Sequence, residues 1–387
     1  MLRYRNDSRW FGDDPGDIPV DITVSRSCYN RGENLPYPAH QDVGNLKWPN
    51  GHTVFIAHGD TTMIAKEERG ADALLLEDVS RLVSRLRIMI ARASIPSRMH
   101  PVLRAPTITL RGPPLDDGRF RPLPSAECSG LRVCAVDASV RPALDLGAIR
   151  AYLVKVVGER YVGLEGSEPL VRLRLICAGR LEEALSEMCA LECALAEELI
   201  ERERPDLLLM DRGLSPRLKA SPLARAALER LLDKAEEAGV TLVGISKSST
   251  LQLDDGTPLA GYLFLRARRL GLDRWVYHPL FDPEPGVSLA VACFSAESGL
   301  AFRVDVYPPK SGDDLVGVLA KVAALQDPAL PGYPYPLLRA HRDCLVRMSE
   351  VEAVRGMIQD ALEHDEVLRD IIGFRRRELE GRRGDLG

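Results

Sequence analysis

Three short apolar runs in this chain are each followed at once by a charged residue. The runs are VCAV before Asp137, LLLM before Asp211 and TLVGIS before Lys247. A run of four or five apolar residues between polar ones is typical of a strand buried on both faces. Ligands of α/β proteins bind at the carboxyl ends of such strands. These three charged residues are therefore candidates for a site at one edge of a sheet.

The pattern around these runs predicts a regular alternation of strands and helices. The first strand is expected at 131–137, and a hairpin or meander of two strands follows at 148–158 and 168–177. Helices are expected at 181–203 and 221–238, on either side of the second run. This order is that of the ribonuclease H-like fold, in which the first and fourth strands are neighbours. We therefore expect an α/β protein with a ribonuclease H-like mixed sheet of five or more strands, flanked by helices.

The remaining sequence divides the chain into three predicted parts. Residues 1–125 form an N-terminal extension with small β elements and one amphipathic helix at 71–93. Residues 126–363 form the ribonuclease H-like domain, and residues 364–387 form a charged helical tail. Within the domain, further strands are expected at 287–295 and 300–307 and a long helix from about 336 to 362.

Glu192 lies in the middle of the apolar stripe of the helix at 181–203. Met188 and Leu195 stand at −4 and +3 from it, so its carboxylate faces the core. A buried carboxylate without a partner costs several kcal/mol. A metal ion or a buried arginine would compensate it. Glu192 is therefore a candidate metal ligand, with a buried ion pair to arginine as the alternative.

His341 and Lys247 extend the candidate site. Leu338 and Leu345 place His341 on the buried stripe of its helix, where it is either a core histidine or a group that binds a metal or activates water. Lys247 either contacts a phosphate or only balances the carboxylates. Asp137 and Asp211 have their own alternative, since an Asp after a strand often begins a turn.

Composition excludes several classes of protein. Hydrophobic residues make up 45% and charged residues 28%, which are ordinary globular values. No apolar stretch approaches eighteen residues and the first residues have no apolar signal segment, so we expect a cytoplasmic protein with no membrane anchor. The net charge of −5 argues against a general nucleic-acid coat, but a local basic groove beside an acidic metal site remains compatible with a nuclease.

The cysteines and arginines add two weaker expectations. Eight cysteines without CxxC spacing indicate buried, reduced thiols; five of them fall inside apolar runs, Cys134, Cys177, Cys189, Cys193 and Cys293. The densest basic cluster outside the tail is LRARRLGLDR, at 265–274. It is either a phosphate-tracking surface or a solvated face.

Four stretches of the sequence resemble the NurA nuclease family, which comprises DNA-end-processing enzymes with a ribonuclease H-like core. They are AVDAS around Asp137, DLLLMDRGL around Asp211, LVGISKSS around Lys247 and GYPYPLLRAH before His341. The resemblance covers roughly residues 130–350. The sequence departs from the family pattern at two positions: Ala138 replaces a glycine, and Arg212 stands where the family favours glycine after the second Asp.

The resemblance implies a manganese- or magnesium-dependent deoxyribonuclease. Its site residues would be Asp137, Glu192, Asp211, Lys247 and His341, of which all but Lys247 would bind the metal. It also implies single-stranded endonuclease and 5′-to-3′ exonuclease activity, a homodimer, and a HerA-type hexameric ATPase as the partner in the resection of DNA double-strand breaks. The residues themselves support metal-assisted phosphodiester hydrolysis, because carboxylate oxygens suit Mn²⁺ and Mg²⁺.

Two other functions are compatible with parts of this pattern. The changes at Ala138 and Arg212 suggest a catalytically inactive relative that serves as a DNA-binding or ATPase-docking subunit of the same repair complex. An actin-like sugar kinase shares the strand topology, but the stretches after Asp137 and Asp211 hold too few glycines for its phosphate loops.

Overall fold

The structure is a computed structural model that describes residues 44–47, 53–56, 71–93, 98–106, 108–145, 150–247, 249–281, 286–308, 312–327 and 330–363. The chain divides into two compact units, Met1–Arg81 and Leu82–Gly387, and the second contains the main sheet. The charged tail predicted at 364–387 lies outside the described residues. The predicted division of the chain at residues 125 and 363 stays a prediction.

The strands are β1 Gly44–Lys47, β2 Thr53–Ile56, β3 Pro101–Arg104, β4 Thr109–Arg111, β5 Phe120–Pro122, β6 Arg132–Asp145, β7 Arg150–Val162, β8 Glu165–Gly166, β9 Leu170–Ala178, β10 Leu207–Met210, β11 Thr241–Ser246, β12 Leu251–Leu253, β13 Trp275–Tyr277, β14 Ser288–Cys293, β15 Phe302–Tyr307, β16 Gln326–Asp327 and β17 Leu330–Pro334. The helices are α1 Ala71–Ala93, α2 Leu181–Glu203, α3 Pro222–Ala238, α4 Leu259–Arg269, α5 Gly312–Ala324, α6 Tyr335–Asp343 and α7 Met348–Glu363.

The main sheet has the order β5–β13–β14–β15–β11–β10–β6–β7–β8, and β9 also pairs with β7. Strand β10 runs parallel to both β6 and β11, whereas β7 is antiparallel to β6 and to β9. The five strands β9, β7, β6, β10 and β11 therefore form the ribonuclease H-like mixed sheet that the sequence predicted. Counted in chain order, the first and fourth of these strands are β6 and β10, and they are neighbours as predicted.

The main sheet has an apolar layer on each of its two faces. On β6, Cys134 and Val136 face the layer formed with α2 and α3, whereas Val133 and Ala135 face the layer formed with α5 and α6. This alternation follows from the two-residue period of a strand. By the same period, Asp137 continues the row of Val133 and Ala135, on the side where α6 packs.

Two predicted boundaries, the end of the first strand and the length of the helix at 336–362, are wrong. Strand β6 does not end at Asp137, because its hairpin with β7 continues as far as Asp145. The long helix expected at 336–362 is two helices, α6 and α7, with a break between them. At this break the Ser139 hydroxyl, on the extended part of β6, donates to the Cys344 carbonyl and accepts a hydrogen bond from the Val346 amide at 3.0 Å.

Other expectations are met in part. Helix α2 has the predicted bounds, and α3 ends at Gly239 in the left-handed conformation, as expected of a glycine stop. The predicted helix at 71–93 is present, but Leu82, Leu86 and Ile90 of its apolar stripe are exposed. Cys177 is exposed, contrary to prediction, because it lies on the outer face of the edge strand β9. No helix among the described residues is long and apolar enough to cross a membrane.

Candidate active site

The register of two parallel strands places the two candidate aspartates side by side. Val136 of β6 is aligned with Met210 of β10, and each is followed immediately by an aspartate, Asp137 or Asp211. Their side chains are 9% and 11% exposed. Parallel pairing with β10 ends at this point, so Asp137 lies at the end of the β6–β10 ladder even though β6 itself continues.

A glycine on the next strand lets the chain turn closely after Asp211. Gly244 of β11 is aligned with Met210, and a Cβ atom there would lie 2.2 Å from the Arg212 carbonyl oxygen and 2.8 Å from Leu214. Any larger residue would push this segment away from the sheet. The small residue therefore fixes how Asp211 and Arg212 leave the strand.

His341 of α6 joins the two aspartates. Its Nδ1 atom lies 2.7 Å from the Oδ2 atom of Asp137 and 3.6 Å from the Oδ2 atom of Asp211. Both distances are measured from the same Nδ1 atom, so the two carboxylate oxygens are at most about 6.3 Å apart. The other oxygen of Asp137 accepts a hydrogen bond from the Ala138 amide at 2.8 Å, which fixes the orientation of the carboxylate.

The end of α6 is held against β6 by hydrogen bonds that also set the position of His341. Ser139 contacts both sides of the break after α6, as described above. The Cys344 thiol donates to the His341 carbonyl at 3.3 Å, and burial raises the pKa of this thiol, with Asp137 adding to the effect. The potential ligand atoms of Asp137, His341 and Cys344 all lie within 4.8 Å of one another.

Lys247 lies beside Asp211, as predicted. Its Nζ atom is 2.7 Å from the Asp211 Oδ2 atom and 4.7 Å from the centre of the Tyr333 ring. Burial raises the pKa of Asp211, and Lys247 opposes this shift. Burial likewise raises the pKa of Tyr333, and the carboxylates of Asp211 and Asp137 raise it further. The Lys247 side chain is 36% exposed, so solvent reaches this side chain.

Glu192 is fully buried and forms an ion pair with Arg212. The arginine alternative is therefore the contact that the structure shows. Burial raises the pKa of Glu192 to about 8 in spite of the opposing charge of Arg212, and Asp137 raises it further. One carboxylate oxygen, Oε2, contacts the guanidinium, whereas the buried Oε1 has no hydrogen-bond partner.

The donor set fits a hard divalent cation. Asp137 and Asp211 supply carboxylate oxygens and His341 an imidazole nitrogen, which are common ligands of Mn²⁺, and the orphaned Oε1 atom of Glu192 is a further oxygen in need of a partner. Sequence reasoning missed two neighbours of this site: Tyr333, which was visible in the Gly-Tyr-Pro stretch, and Cys344, at +3 from His341. It left an arginine partner for Glu192 open but did not identify that partner as Arg212, because the fold alone directs Arg212 toward α2.

Only part of the basic cluster of α4 is exposed to solvent. Arg266 is buried and makes a two-point ion pair with Asp117, with its Nε atom 3.0 Å from Oδ1. Arg268 and Arg269 are exposed. Arg266 therefore holds α4 in place, which leaves its exposed neighbours as the part of the cluster that a polyanion could reach.

The architecture and the aspartate–histidine cluster define a ribonuclease H-like protein with a candidate metal centre. The NurA domain family matches residues 131–253 of the chain. The resemblance to NurA is therefore confirmed over this segment, which contains Asp137, Glu192, Asp211 and Lys247. No match was found among curated proteins.

Several solved structures are similar to this chain. The NurA nuclease from Sulfolobus solfataricus is 16% identical, at a TM-score of 0.51 over 77% of this chain and 98% of that chain. A crystal structure of NurA bound to dAMP and manganese is 13% identical, at a TM-score of 0.42 over 59% of this chain and 87% of that chain. Human ENDOV is 19% identical, at a TM-score of 0.37 over 58% of this chain and 85% of that chain. The similarity to the Sulfolobus solfataricus structure supports the predicted fold.

Proposed function

We propose that this protein is a metal-dependent deoxyribonuclease whose site is formed by Asp137, Glu192, Asp211, Lys247 and His341. The observation that carries the proposal is the cluster of Asp137, His341 and Asp211, in which two largely buried carboxylates from adjacent parallel strands meet one imidazole. Such a cluster at the end of a strand ladder is suited to binding Mn²⁺ or Mg²⁺. The match to the NurA domain supports DNA as the substrate.

Each residue has a separate role in the proposed hydrolysis. A bound divalent cation supplies activation of a water molecule and offsets the charge of the scissile phosphate. Asp137 and Asp211 would hold the cation, and Glu192 would contribute through its unpartnered Oε1 atom. In the reaction the water oxygen would lose a proton to a base and form a bond to phosphorus, the bond to the leaving oxygen would break, and that oxygen would take up a proton.

His341 and Lys247 act beside these carboxylates. His341 is oriented by Asp137 at 2.7 Å, so its imidazole is placed either to bind the cation or to accept the proton of the attacking water. Lys247 is bound to Asp211 on one side and accessible on the other, so its ammonium group can hold a phosphate oxygen of the DNA.

The biological setting is part of the same proposal. The protein would cut single-stranded DNA internally and degrade DNA ends in the 5′-to-3′ direction. It would act as a homodimer in the cytoplasm, with a HerA-type hexameric ATPase, in the resection of double-strand breaks. The NurA match supports this setting through the family alone.

A second function is favoured by one observation, the ion pair between Arg212 and Glu192. Because this arginine already neutralises a candidate ligand, the chain would on this view be a catalytically inactive subunit that binds DNA or docks the ATPase. The two functions differ in whether the purified protein cleaves DNA at all.

A cleavage assay separates them. The full chain is incubated with Mn²⁺ or Mg²⁺ and with single-stranded DNA labelled at either end, and Asp137→Asn and Asp211→Asn are run as matched variants. We expect cleavage by the wild type and a loss of at least about 100-fold in both variants. Binding of the DNA without cleavage by the folded wild type would establish the inactive subunit instead. The order in which the two labels are released gives the polarity.

A further inference from the structure

Arg212 brings a positive charge into the candidate site. It directly follows Asp211, and its side chain is 14% exposed, while that of its partner Glu192 is 1% exposed. A guanidinium keeps its positive charge in proteins. A permanent positive charge therefore contacts the Oε2 atom of Glu192 from within the fold.

The charges of the cluster set a limit on how many further cations it can hold. When all three are ionised, Asp137, Glu192 and Asp211 contribute three negative charges, while Arg212 and Lys247 are ion-paired with two of these carboxylates. One negative charge is left uncompensated when His341 is neutral. One divalent cation together with one phosphodiester restores neutrality, whereas two divalent cations would leave an excess of positive charge in a largely buried site.

The ligand geometry agrees with this limit. Asp137 and His341 approach one another within 2.7 Å and Cys344 lies nearby, so one compact ligand cluster exists on the α6 side. Glu192 reaches the site from α2, which packs on the opposite face of the sheet. Its guanidinium contact occupies the place beside Oε2 that a second cation would need.

From these contacts we propose that Arg212 is a resident cation that takes the place of a second metal ion, so that each chain binds one divalent cation. The inference rests on the proposed function, because it concerns the same site. Arg212 is a positioning residue in this view: it neutralises Glu192 and leaves Oε1 for the single cation. Removing its side chain would free the Oε2 atom of Glu192 as well and create a second cation site.

Counting bound Mn²⁺ tests the inference without reference to activity. The full chain is titrated with Mn²⁺ alone, with the heat of binding and the electron paramagnetic resonance signal of free Mn²⁺ as two readouts. We expect one ion per chain for the wild type, two for Arg212→Ala, and one for Arg212→Lys, which retains the positive charge. The double variant Arg212→Ala with Glu192→Gln should return to one, because the freed carboxylate is gone.

Each result has a defined reading. Two ions bound by the wild type, or one ion bound by Arg212→Ala, would overturn the inference and leave the proposed function in place. No binding by the folded wild type would overturn the proposed function and the inference with it. If Arg212→Ala does not fold, Arg212→Met retains most of the buried side-chain volume and is read in the same way.

Discussion

Asp137 and His341 are 204 positions apart in the chain, yet the imidazole Nδ1 atom lies 2.7 Å from the carboxylate Oδ2 atom. Strand β6 supplies the first residue and α6 the second, so the contact exists only when α6 packs on β6. The same imidazole lies 3.6 Å from Asp211. His341 is therefore the residue that ties the two strand-borne carboxylates into one cluster.

Replacing His341 should remove catalysis while preserving the fold. His341→Ala deletes the imidazole from a partly exposed position, so we expect a fall in the DNA cleavage rate of about 100-fold or more, typical of a lost acid–base group or ligand. Arg342→Ala, an exposed neighbour on the same helix, is the control and should cleave at nearly the wild-type rate. Equal rates for the two variants in Mn²⁺ would contradict the role of His341.

Ser139 should act on the site through the position of α6. Ser139→Ala removes the hydroxyl that contacts the Cys344 carbonyl and the Val346 amide, and leaves these two backbone groups without their partner. We expect the free energy of unfolding to fall by about 1–3 kcal/mol. We also expect kcat to fall more than KM changes, because the position of His341 is altered and the DNA surface is not.

The matched control for Ser139 lies on α2. Ser186 is half-buried and donates to the Glu182 carbonyl. This hydrogen bond lies within one helix and is exposed to solvent. Ser186→Ala should change the urea midpoint and kcat very little. If both serine variants unfold at the wild-type midpoint, the hydroxyl of Ser139 does not hold the break between α6 and α7.

The sequence predicted those parts of the site that depend on local periodicity. Asp211 was identified because a buried four-residue strand ends there, and Glu192 because it interrupts an apolar helical stripe. Neither pattern predicts which residue the side chain will contact in the folded protein. The pairing of Glu192 with Arg212 depends on how the segment after β10 turns over Gly244, and that turn is fixed by contacts between strands rather than by spacing.

For the fold too, the sequence predicted the features set by local patterns and missed those set by tertiary contacts. The bounds of α2 and of β11 follow from apolar runs and are as predicted. The extension of β6 beyond Asp137 was missed, because the strand carries a charge within it and continues only through its pairing with β7. The break before α7 was missed as well, since a hydroxyl on a distant strand stabilises it.

Gly244 should be intolerant of even one methyl group. Gly244→Ala would place a Cβ atom 2.2 Å from the Arg212 carbonyl oxygen, so the segment that carries Asp211 must shift. We expect a loss of about 1–3 kcal/mol in the free energy of unfolding, as for an overpacked core, and loss of cleavage. Gly317→Ala on α5 has open space around it and should be neutral or stabilising by about 0.5–1 kcal/mol. Equal melting temperatures for the two variants would contradict the close approach.

Glu159 should make the stability of the protein depend on pH. It is 2% exposed, its Oε1 atom has no hydrogen-bond partner, and burial raises its pKa from 4.5 to about 7, with the nearby Asp343 adding to the shift. Because the folded pKa is above the unfolded one, the unfolded chain ionises first as the pH rises. Stability is therefore lost between pH 4.5 and about 7, and the penalty is constant above that range.

Glu159→Gln should remove this penalty, because the amide is neutral at every pH. We expect the variant to be more stable than the wild type by roughly 1–3 kcal/mol at pH 8 and by much less at pH 4.5, where the wild-type carboxyl is protonated in the folded state. Urea unfolding at the two pH values measures the difference. The exposed Glu352→Gln is the control and should show no such dependence. A gain in Glu159→Gln that is the same at both pH values would show that it comes from packing and that the carboxyl does not titrate as described.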